Sequence, residues 1–193
     1  MSNINVILVG DPRQTVYKTH YEQKYLKYSN GNIANFIKEE CKALECDIDN
    51  TTLNKCYRCY KDIVTFVNNF YKEFKPMEYV EIERKEHQGV FVIKKSQIEE
   101  YIKKYKPIQI VYSNITKTCK LAPTITMGKS KGATYNRVLV YPTKKFKNYL
   151  VKGTAKINDE TKNKLYVGMT RPINSLTFVL DEEYNYFNLK NGL

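Results

Sequence analysis

Apolar positions along the chain alternate between strand-like runs and helix-like spacing, which predicts an α/β fold. The first run, residues 5–9, is continuously apolar, as strands buried inside a parallel sheet are, and a Gly-Asp-Pro turn ends it. Five further β-rich runs are predicted strands: 79–82, 90–93, 108–112, 137–141 and 176–180. Strands that alternate with helices favour a mostly parallel sheet with right-handed crossovers.

Helical spacing of apolar residues marks the segments between those runs. The predicted helices are residues 17–28, 33–44, a long helix after Tyr57, 98–105, 144–150 and 159–170. Pro172 is predicted to end the last of them, because proline cannot continue a helix. One helical face is predicted to be core: Ile98, Tyr101, Ile102 and Tyr105. In such folds, chemistry is expected on loops beyond the carboxyl ends of the strands.

The charge of the chain points to a polyanionic partner. Its 193 residues are enough for one domain, or one domain and a fragment of another. The 32 basic and 20 acidic residues give a net charge of +12, which favours nucleic acid as the partner. The alternative is a lysine-rich surface that only keeps the protein soluble.

The cysteines predict a reducing, cytoplasmic environment with free thiols. The five cysteines are an odd number, no basic leader opens the chain, and no apolar stretch has membrane-spanning length. Cys56-x-x-Cys59 could hold zinc, but its companions Cys41 and Cys46 have five-residue spacing and the chain has only two histidines. No metal site and no membrane association are therefore predicted.

The triplet Gly128-Lys129-Ser130 looks like the end of a phosphate-binding P-loop. A P-loop needs a glycine five positions before Gly128, where backbone N–H groups wrap the phosphates, and Pro123 stands there. Proline has no N–H and a fixed φ, so the segment is predicted not to bind phosphate in this way. No predicted strand ends in an Asp-Glu pair that would hold Mg²⁺.

Four other stretches carry a family resemblance. In chain order they are VILVGDPRQTVY (6–17), LNKCYRCYKDI (53–63), TMGKSKG (126–132, followed by strand 137–141) and LYVGMTR (165–171, followed by a strand). Together they resemble motifs III, IV, V and VI of superfamily 1 DNA helicases of the UvrD/Rep type. The resemblance covers nearly the whole chain and implies a RecA-like α/β domain of the P-loop-NTPase type, with a mostly parallel sheet flanked by helices.

The resemblance implies a set of nucleotide contacts. Gln14 would sense the γ-phosphate, and Tyr57 would stack on the adenine base. Arg58 and Arg171 would reach the γ-phosphate, with Arg171 as an arginine finger, and Gly132 joins the nucleotide-binding set. Planar guanidinium groups suit this task, since they match triphosphate oxygens and stabilise transition-state charge.

The resemblance also implies a track for single-stranded DNA. Tyr17 matches an aromatic residue that stacks on DNA bases, and an exposed aromatic ring can stack any base. Thr126, Lys129 and Lys131 lie on a loop that approaches the DNA backbone in the family.

Each of these residues could instead have a purely structural role. Arg58 and Arg171 could be surface arginines, and Tyr57 could be a core residue at a helix start. A stripe of tyrosines could stack on nucleic acid or form a core face: Tyr17, Tyr21, Tyr25 and Tyr28. A cluster of lysines could contact phosphates or form a solvated face: Lys144, Lys145, Lys147 and Lys152.

The sequence departs from the UvrD/Rep pattern at several positions. Cys56 stands where the family has Asn, Gly128 where it has His, and Ala133-Thr134 where it has Leu-Glu. Motifs I and II, the P-loop and the Mg²⁺-binding acids, have no match. Residues 1–20 are therefore predicted to be the last strand and motif III of a first RecA-like domain, and residues 21–193 a second RecA-like domain without a large insertion.

These observations predict the C-terminal part of an ATP-dependent DNA helicase. It would use ATP with Mg²⁺ only in the intact enzyme, together with the missing N-terminal RecA-like domain and single-stranded or partly duplex DNA. The isolated chain is predicted not to hydrolyse ATP. The alternative is a stand-alone nucleic-acid-binding or partner-docking module, with a nuclease partner in a prokaryotic defence system conceivable by analogy.

Overall fold

A computed structural model of the chain describes residues 6–17, 22–29, 32–43, 45–49, 51–153, 156–181 and 190–192. The helices are α1 (Ile33–Glu40), α2 (Lys61–Phe70), α3 (Ile98–Tyr105), α4 (Lys144–Lys152) and α5 (Asp159–Met169). The strands are β1 (Lys55–Cys56), β2 (Glu78–Tyr79), β3 (Gly89–Ile93), β4 (Ile108–Val111), β5 (Thr124–Thr126), β6 (Tyr135–Tyr141), β7 (Pro172–Val179) and β8 (Lys190–Asn191). Short 3₁₀ helices cover Pro12–Gln14, Gln23–Tyr28 and Lys95–Gln97.

Six strands form one sheet in the order β5-β4-β6-β7-β3-β8, and every neighbouring pair in it runs parallel. Strands β1 and β2 form a second, two-stranded parallel sheet, and α2 lies in the connection between them. This architecture confirms the predicted α/β fold with a mostly parallel sheet between helices. Parallel strands need such crossovers, because each strand must return to the same edge before the next begins.

Both faces of the large sheet are buried. Val138 and Val140 of β6 face a large core that α2, α4 and α5 complete, whereas Leu139 faces a smaller core with Tyr101 of α3. This alternation follows from the two-residue period of a strand. The predicted core face of α3 is confirmed, since its residues all belong to the smaller core or pack against it.

Local chemistry explains where several helices begin and end. The Thr143 side chain accepts a hydrogen bond from the Phe146 backbone N–H at the start of α4, and Gly153 ends that helix at φ 70°. At the start of α5, the Asn158 side chain accepts from the Thr161 N–H. Helix α5 ends at Met169 with Thr170 as its C-cap, and Pro172, predicted to end this helix, lies two residues beyond the cap and opens β7. No helix in the described ranges is both long and apolar enough to cross a membrane.

Two predicted elements are wrong. The run at 5–9 was expected to be a buried strand, but residues 6–10 lie outside both sheets with the side chains of Val6 and Ile7 exposed. An apolar strand is buried only when neighbouring strands and a covering layer surround it, and these residues have none in the described part of the chain. The helix at 17–28 is reduced to the 3₁₀ helix Gln23–Tyr28, while residues 18–21 fall outside the described residues.

Candidate functional site

The segment 11–17 packs on α5. The Asp11 carboxylate accepts hydrogen bonds from the backbone N–H of Arg13 (3.0 Å) and from the Tyr166 hydroxyl (3.0 Å). Burial alone would raise the pKa of Asp11, but the hydrogen bond and charge of Arg13 outweigh it and lower that pKa. The Asn163 side chain donates to the Thr15 carbonyl oxygen at 3.2 Å, which ties the segment to the middle of α5.

Hydrogen bonds hold both the side chain and the backbone of Gln14. Its side-chain amide donates to Asp11 Oδ2 at 3.1 Å, and its backbone oxygen accepts from Lys131 Nζ at 3.0 Å. The predicted phosphate sensor is therefore joined to the crossover between β5 and β6, and its side chain bonds Asp11 rather than Arg58 or Arg171.

The crossover 127–134 brings together the residues predicted to contact DNA. Thr126 ends β5, Lys129 and Lys131 are exposed, and a Cβ built on Gly128 would lie 2.7 Å from the hydroxyl oxygen of Tyr17. Tyr17 itself is 60% exposed. One surface thus carries an available ring and two lysines. Gly128, which departs from the family pattern, is the residue that leaves room for the ring.

The Gly128-Lys129-Ser130 triplet forms a turn with its serine inside. Ser130 is buried, and its hydroxyl donates to the Met127 carbonyl oxygen at 2.7 Å. Gly132 follows in the left-handed region at φ 85° and is exposed. The serine hydroxyl that would bind Mg²⁺ in a P-loop therefore faces the protein interior.

Two arginines converge on Thr170. Arg58 Nη1 donates to the Thr170 carbonyl oxygen at 3.2 Å, although the two residues are 112 positions apart. Arg171 is 2% exposed and donates from Nε to the Val167 oxygen (2.8 Å), from Nη1 to the Ala133 oxygen (3.3 Å) and from Nη2 to the Thr170 hydroxyl (3.0 Å). Arg171 is therefore not a surface arginine, and its acceptors are neutral oxygens.

The electrostatics of this pair are unfavourable without an anion. Burial lowers the pKa of Arg171, and the nearby positive charge of Arg58 lowers it further. Among the described residues, neither arginine forms an ion pair with a carboxylate. The groups that oppose this repulsion include the thiols of Cys56 and Cys59. Two like charges held together in this way form a site to which an anion would bind favourably.

The arginine pair lies at the edge of the sheet opposite to the one expected. The Tyr135 N–H that opens β6 donates to the Arg171 oxygen, and the Tyr60 N–H donates to the Ile173 oxygen near the start of β7. The pair therefore sits at the amino ends of β6 and β7, while Thr126 alone among the predicted residues ends a strand. The expectation of carboxyl-end chemistry is wrong for Arg171, which directly precedes β7. Arg58 follows the carboxyl end of β1 in the small sheet and meets Arg171 at the amino edge of the large one.

Tyr57 is 72% exposed beside Arg58, so the interpretation of Tyr57 as a core residue is wrong. The tyrosine stripe is divided: Tyr28 is buried and, like Tyr25, packs edge-on against Phe36 of α1, and Tyr21 lies outside the described residues. In the lysine cluster on α4, three members are exposed: Lys144, Lys145 and Lys152.

Sequence reasoning missed the residues that join these parts. Tyr166, Asn163 and Thr170 hold the segment 11–17 and the arginine pair, but their partners lie more than a hundred positions away and no local spacing indicates them. Within the described residues, no group of three or more histidine, cysteine or acidic side chains could hold a metal ion.

Comparison with protein families matches residues 1–180 to the viral superfamily 1 RNA helicase core domain. The match covers most of the chain, and the chain therefore belongs to this helicase family. Family membership and the parallel sheet between helices confirm the predicted superfamily 1 helicase resemblance and the RecA-like fold. The UvrD/Rep type, the assignment of motifs III to VI, the site roles and the division near residue 20 stay predictions. No curated protein matches the sequence.

Two solved structures are similar to this chain. One is the helicase nsp10 of PRRSV, at 16% identity and a TM-score of 0.39, covering 68% of this chain and 24% of that one. The other is the C-terminal domain of a possible DNA helicase from Lactobacillus plantarum WCFS1, at 12% identity and a TM-score of 0.38, covering 64% of this chain and 86% of that one. The chain thus spans about a quarter of the viral helicase.

Proposed function

We propose that this chain supplies one side of the ATP site and part of a single-stranded nucleic-acid track in an ATP-driven helicase. The observation that carries the proposal is the pair Arg58 and Arg171, two guanidinium groups at Thr170 with no carboxylate partner among the described residues. A polyphosphate would relieve their repulsion, and guanidinium groups bind phosphate oxygens in a planar, two-pronged geometry.

The residues around the pair fit a nucleotide. Tyr57 presents an exposed ring next to Arg58, as adenine stacking requires. The buried Arg171 would turn one of its donors from a backbone oxygen to a phosphate oxygen, while half-buried Arg58 reaches outward. Bound Mg²⁺ would neutralise phosphate charge, and its protein ligands are proposed to belong to the first RecA-like domain, with Gln14 and Gly132 near the junction.

The nucleic-acid surface is proposed to be Tyr17, Thr126, Lys129 and Lys131 on one side of the crossover. A ring that stacks and lysines that meet phosphates bind a single strand without reading its sequence. DNA is the substrate that the UvrD/Rep resemblance predicts. The matched family is described as an RNA helicase core, which makes RNA the competing substrate.

The test joins this chain to a first RecA-like domain that carries motifs I and II. Hydrolysis of ATP is then measured with single-stranded DNA and RNA of equal length. Arg58→Ala and Arg171→Ala should each lower the stimulated rate at least about 100-fold, in keeping with the weight of an arginine finger. Arg84→Ala, which removes an exposed arginine outside the proposed site, is the matched control. Folded Arg58→Ala protein that keeps the parent rate would refute the nucleotide site.

The chain alone should show no Mg²⁺-dependent ATP hydrolysis, and measurable turnover by purified protein would contradict this. A stand-alone binding module is the second candidate, and the net charge of +12 favours it. Its signature is tight binding of single strands that weakens steeply with salt, without any dependence on ATP. A nuclease partner and a cytoplasmic location are also proposed for this second candidate.

A further inference from the structure

Two cysteines bracket the residues proposed to bind nucleotide. Cys56 ends β1, Cys59 lies two residues before α2, and Tyr57 and Arg58 stand between them. Cys56 is half-buried, whereas Cys59 is 1% exposed with its sulfur 3.5 Å from the Thr170 oxygen, the atom that also accepts from Arg58. The Cys59 thiol is also within hydrogen-bonding reach of the Cys56 sulfur.

The surroundings of the two sulfurs make them unequal. Cys56 accepts hydrogen bonds from the Cys59 thiol and from the backbone N–H groups of Cys59 and Arg58, and these contacts lower its pKa to about 5 against the opposing effect of burial. The same contact with Cys56, together with burial, raises the pKa of Cys59. The pair therefore consists of an accessible thiolate and a protected thiol, the arrangement found in redox-active dithiols.

We propose that Cys56 and Cys59 are a redox-active dithiol whose reversible disulfide sets the charge beside the Arg58–Arg171 pair. Only Tyr57 and Arg58 separate the two cysteines, which is the C-x-x-C spacing of redox-active dithiols, and Cys59 is held beside the Thr170 oxygen. A structural zinc role lacks further ligands in the described ranges.

The oxidant in this proposal is a small-molecule disulfide of the glutathione class. The Cys56 thiolate attacks one of its sulfurs, forms a mixed disulfide and releases one small thiolate. The Cys59 thiol gives its proton to the released thiolate, and its sulfur then attacks Cys56 and displaces the second small thiolate. One protein thiolate and one protein thiol are oxidised to a disulfide, and one small disulfide is reduced to one thiol and one thiolate.

Oxidation removes a negative charge from the site. In the reduced protein the Cys56 thiolate partly offsets the two guanidinium groups, and in the disulfide it no longer does. An anion at the arginine pair should then bind about three- to tenfold more tightly, because a nearby unit charge of the same sign has gone. This consequence rests on the proposed nucleotide site, whereas the disulfide itself does not.

The first experiment tests the dithiol alone. The purified chain is pulsed with iodoacetamide at pH 6, and alkylation of each cysteine is followed by mass spectrometry. Cys56 should react at least about tenfold faster than exposed Cys46, because the thiolate is the reactive form. Incubation in glutathione buffers of rising potential should then link Cys56 to Cys59, while Cys46 forms no bond with either of them. Equal rates at Cys56 and Cys46, or no Cys56–Cys59 bond at any potential, would overturn the proposal.

The second experiment measures the dissociation constant of inorganic pyrophosphate for the reduced and oxidised chain. The oxidised chain should bind about three- to tenfold more tightly. Reduced Cys56→Ser should show the same gain, since it also lacks the thiolate, and Cys46→Ser should not. Unchanged or weaker binding on oxidation would refute the charge effect. Absence of pyrophosphate binding in both forms would refute the proposed nucleotide site, even where the disulfide forms.

Discussion

Replacing Gly128 by alanine should displace the Tyr17 ring and leave the fold intact. The added methyl carbon would lie 2.7 Å from Tyr17 Oη and 3.2 Å from Cζ, closer than ordinary van der Waals contact. The ring must therefore move by at least about 0.7 Å. Gly128 is not among the residues with positive φ, so alanine can adopt its backbone conformation without strain.

The energetic cost of that displacement should be small. Tyr17 is 60% exposed, so its ring can turn toward solvent instead of compressing a closed core. We expect the free energy of unfolding to fall by less than about 1 kcal/mol, compared with about 1–3 kcal/mol for overpacking in a sealed interior.

The effect on nucleic-acid binding should be larger. A stacked base is worth about 1–3 kcal/mol, so Tyr17→Ala should weaken binding of a single strand by about 5- to 150-fold. Gly128→Ala should lose a substantial part of the same energy. Because both changes act on one ring, the double variant should bind no worse than Tyr17→Ala alone.

The assay is fluorescence anisotropy with labelled oligothymidylate and oligouridylate at one fixed salt concentration, together with urea unfolding of each variant. Gly10→Ala is the control glycine, because a methyl group there meets no atom within 4 Å. Additive losses of Gly128→Ala and Tyr17→Ala would refute the reasoning. So would unchanged affinity in Gly128→Ala, or a loss of stability well above 1 kcal/mol.

Two further predictions concern stability. Arg171→Ala should lower the free energy of unfolding by about 2–4 kcal/mol, since three hydrogen bonds are lost, two of them buried and one part-buried. Half-buried Arg58→Ala should lower it by less than about 1 kcal/mol, and equal losses in urea unfolding would contradict this. His87 is stacked between the rings of Phe91 and Tyr105 at 3.9 and 3.7 Å, and burial, with the charges of Arg137 and Lys104, lowers its pKa to about 4. Between pH 6.5 and 4 the unfolded chain binds a proton at His87 that the folded protein does not. The free energy of unfolding is therefore highest above pH 6.5 and falls toward pH 4, by about 1–2 kcal/mol once solvent screening is allowed for. His87→Asn, which tolerates the positive φ at this position, should flatten the unfolding free energy between pH 7 and 4.5, and an unchanged slope would exclude His87 as the cause.

Local pattern determined much of the fold. Helix α3 has the bounds 98–105 that its apolar spacing predicts, and the predicted strands 90–93, 108–112 and 137–141 lie within one residue or two of β3, β4 and β6. These segments are confirmed because the spacing of apolar residues within each segment defines the face that it buries. The order of the motif-like stretches likewise indicates a superfamily 1 helicase domain, and the family match confirms the assignment to that superfamily.

Short strands and isolated apolar runs could not be predicted in the same way. Strand β5 has three residues, and its hydrogen bonds come from β4, so its own sequence contains little evidence of it. Conversely, the run at 5–9 has the composition of a buried strand, yet residues 6–10 are exposed outside both sheets. A strand depends on its neighbours, whereas a helix satisfies its hydrogen bonds within itself.

The sequence by itself determined the superfamily 1 helicase assignment, which the family match confirms, and it predicted the site residues Tyr17, Tyr57, Arg58 and Arg171 from motif positions. Only the tertiary structure decided that Arg58 and Arg171 meet at Thr170 on the amino edge of the sheet, and that Gly128 leaves room for Tyr17. It also placed the thiols of Cys56 and Cys59 beside that arginine pair. The physical reason is that charge repulsion and close packing here act between residues more than a hundred positions apart. The periodicity of neighbouring residues carries no information about such contacts.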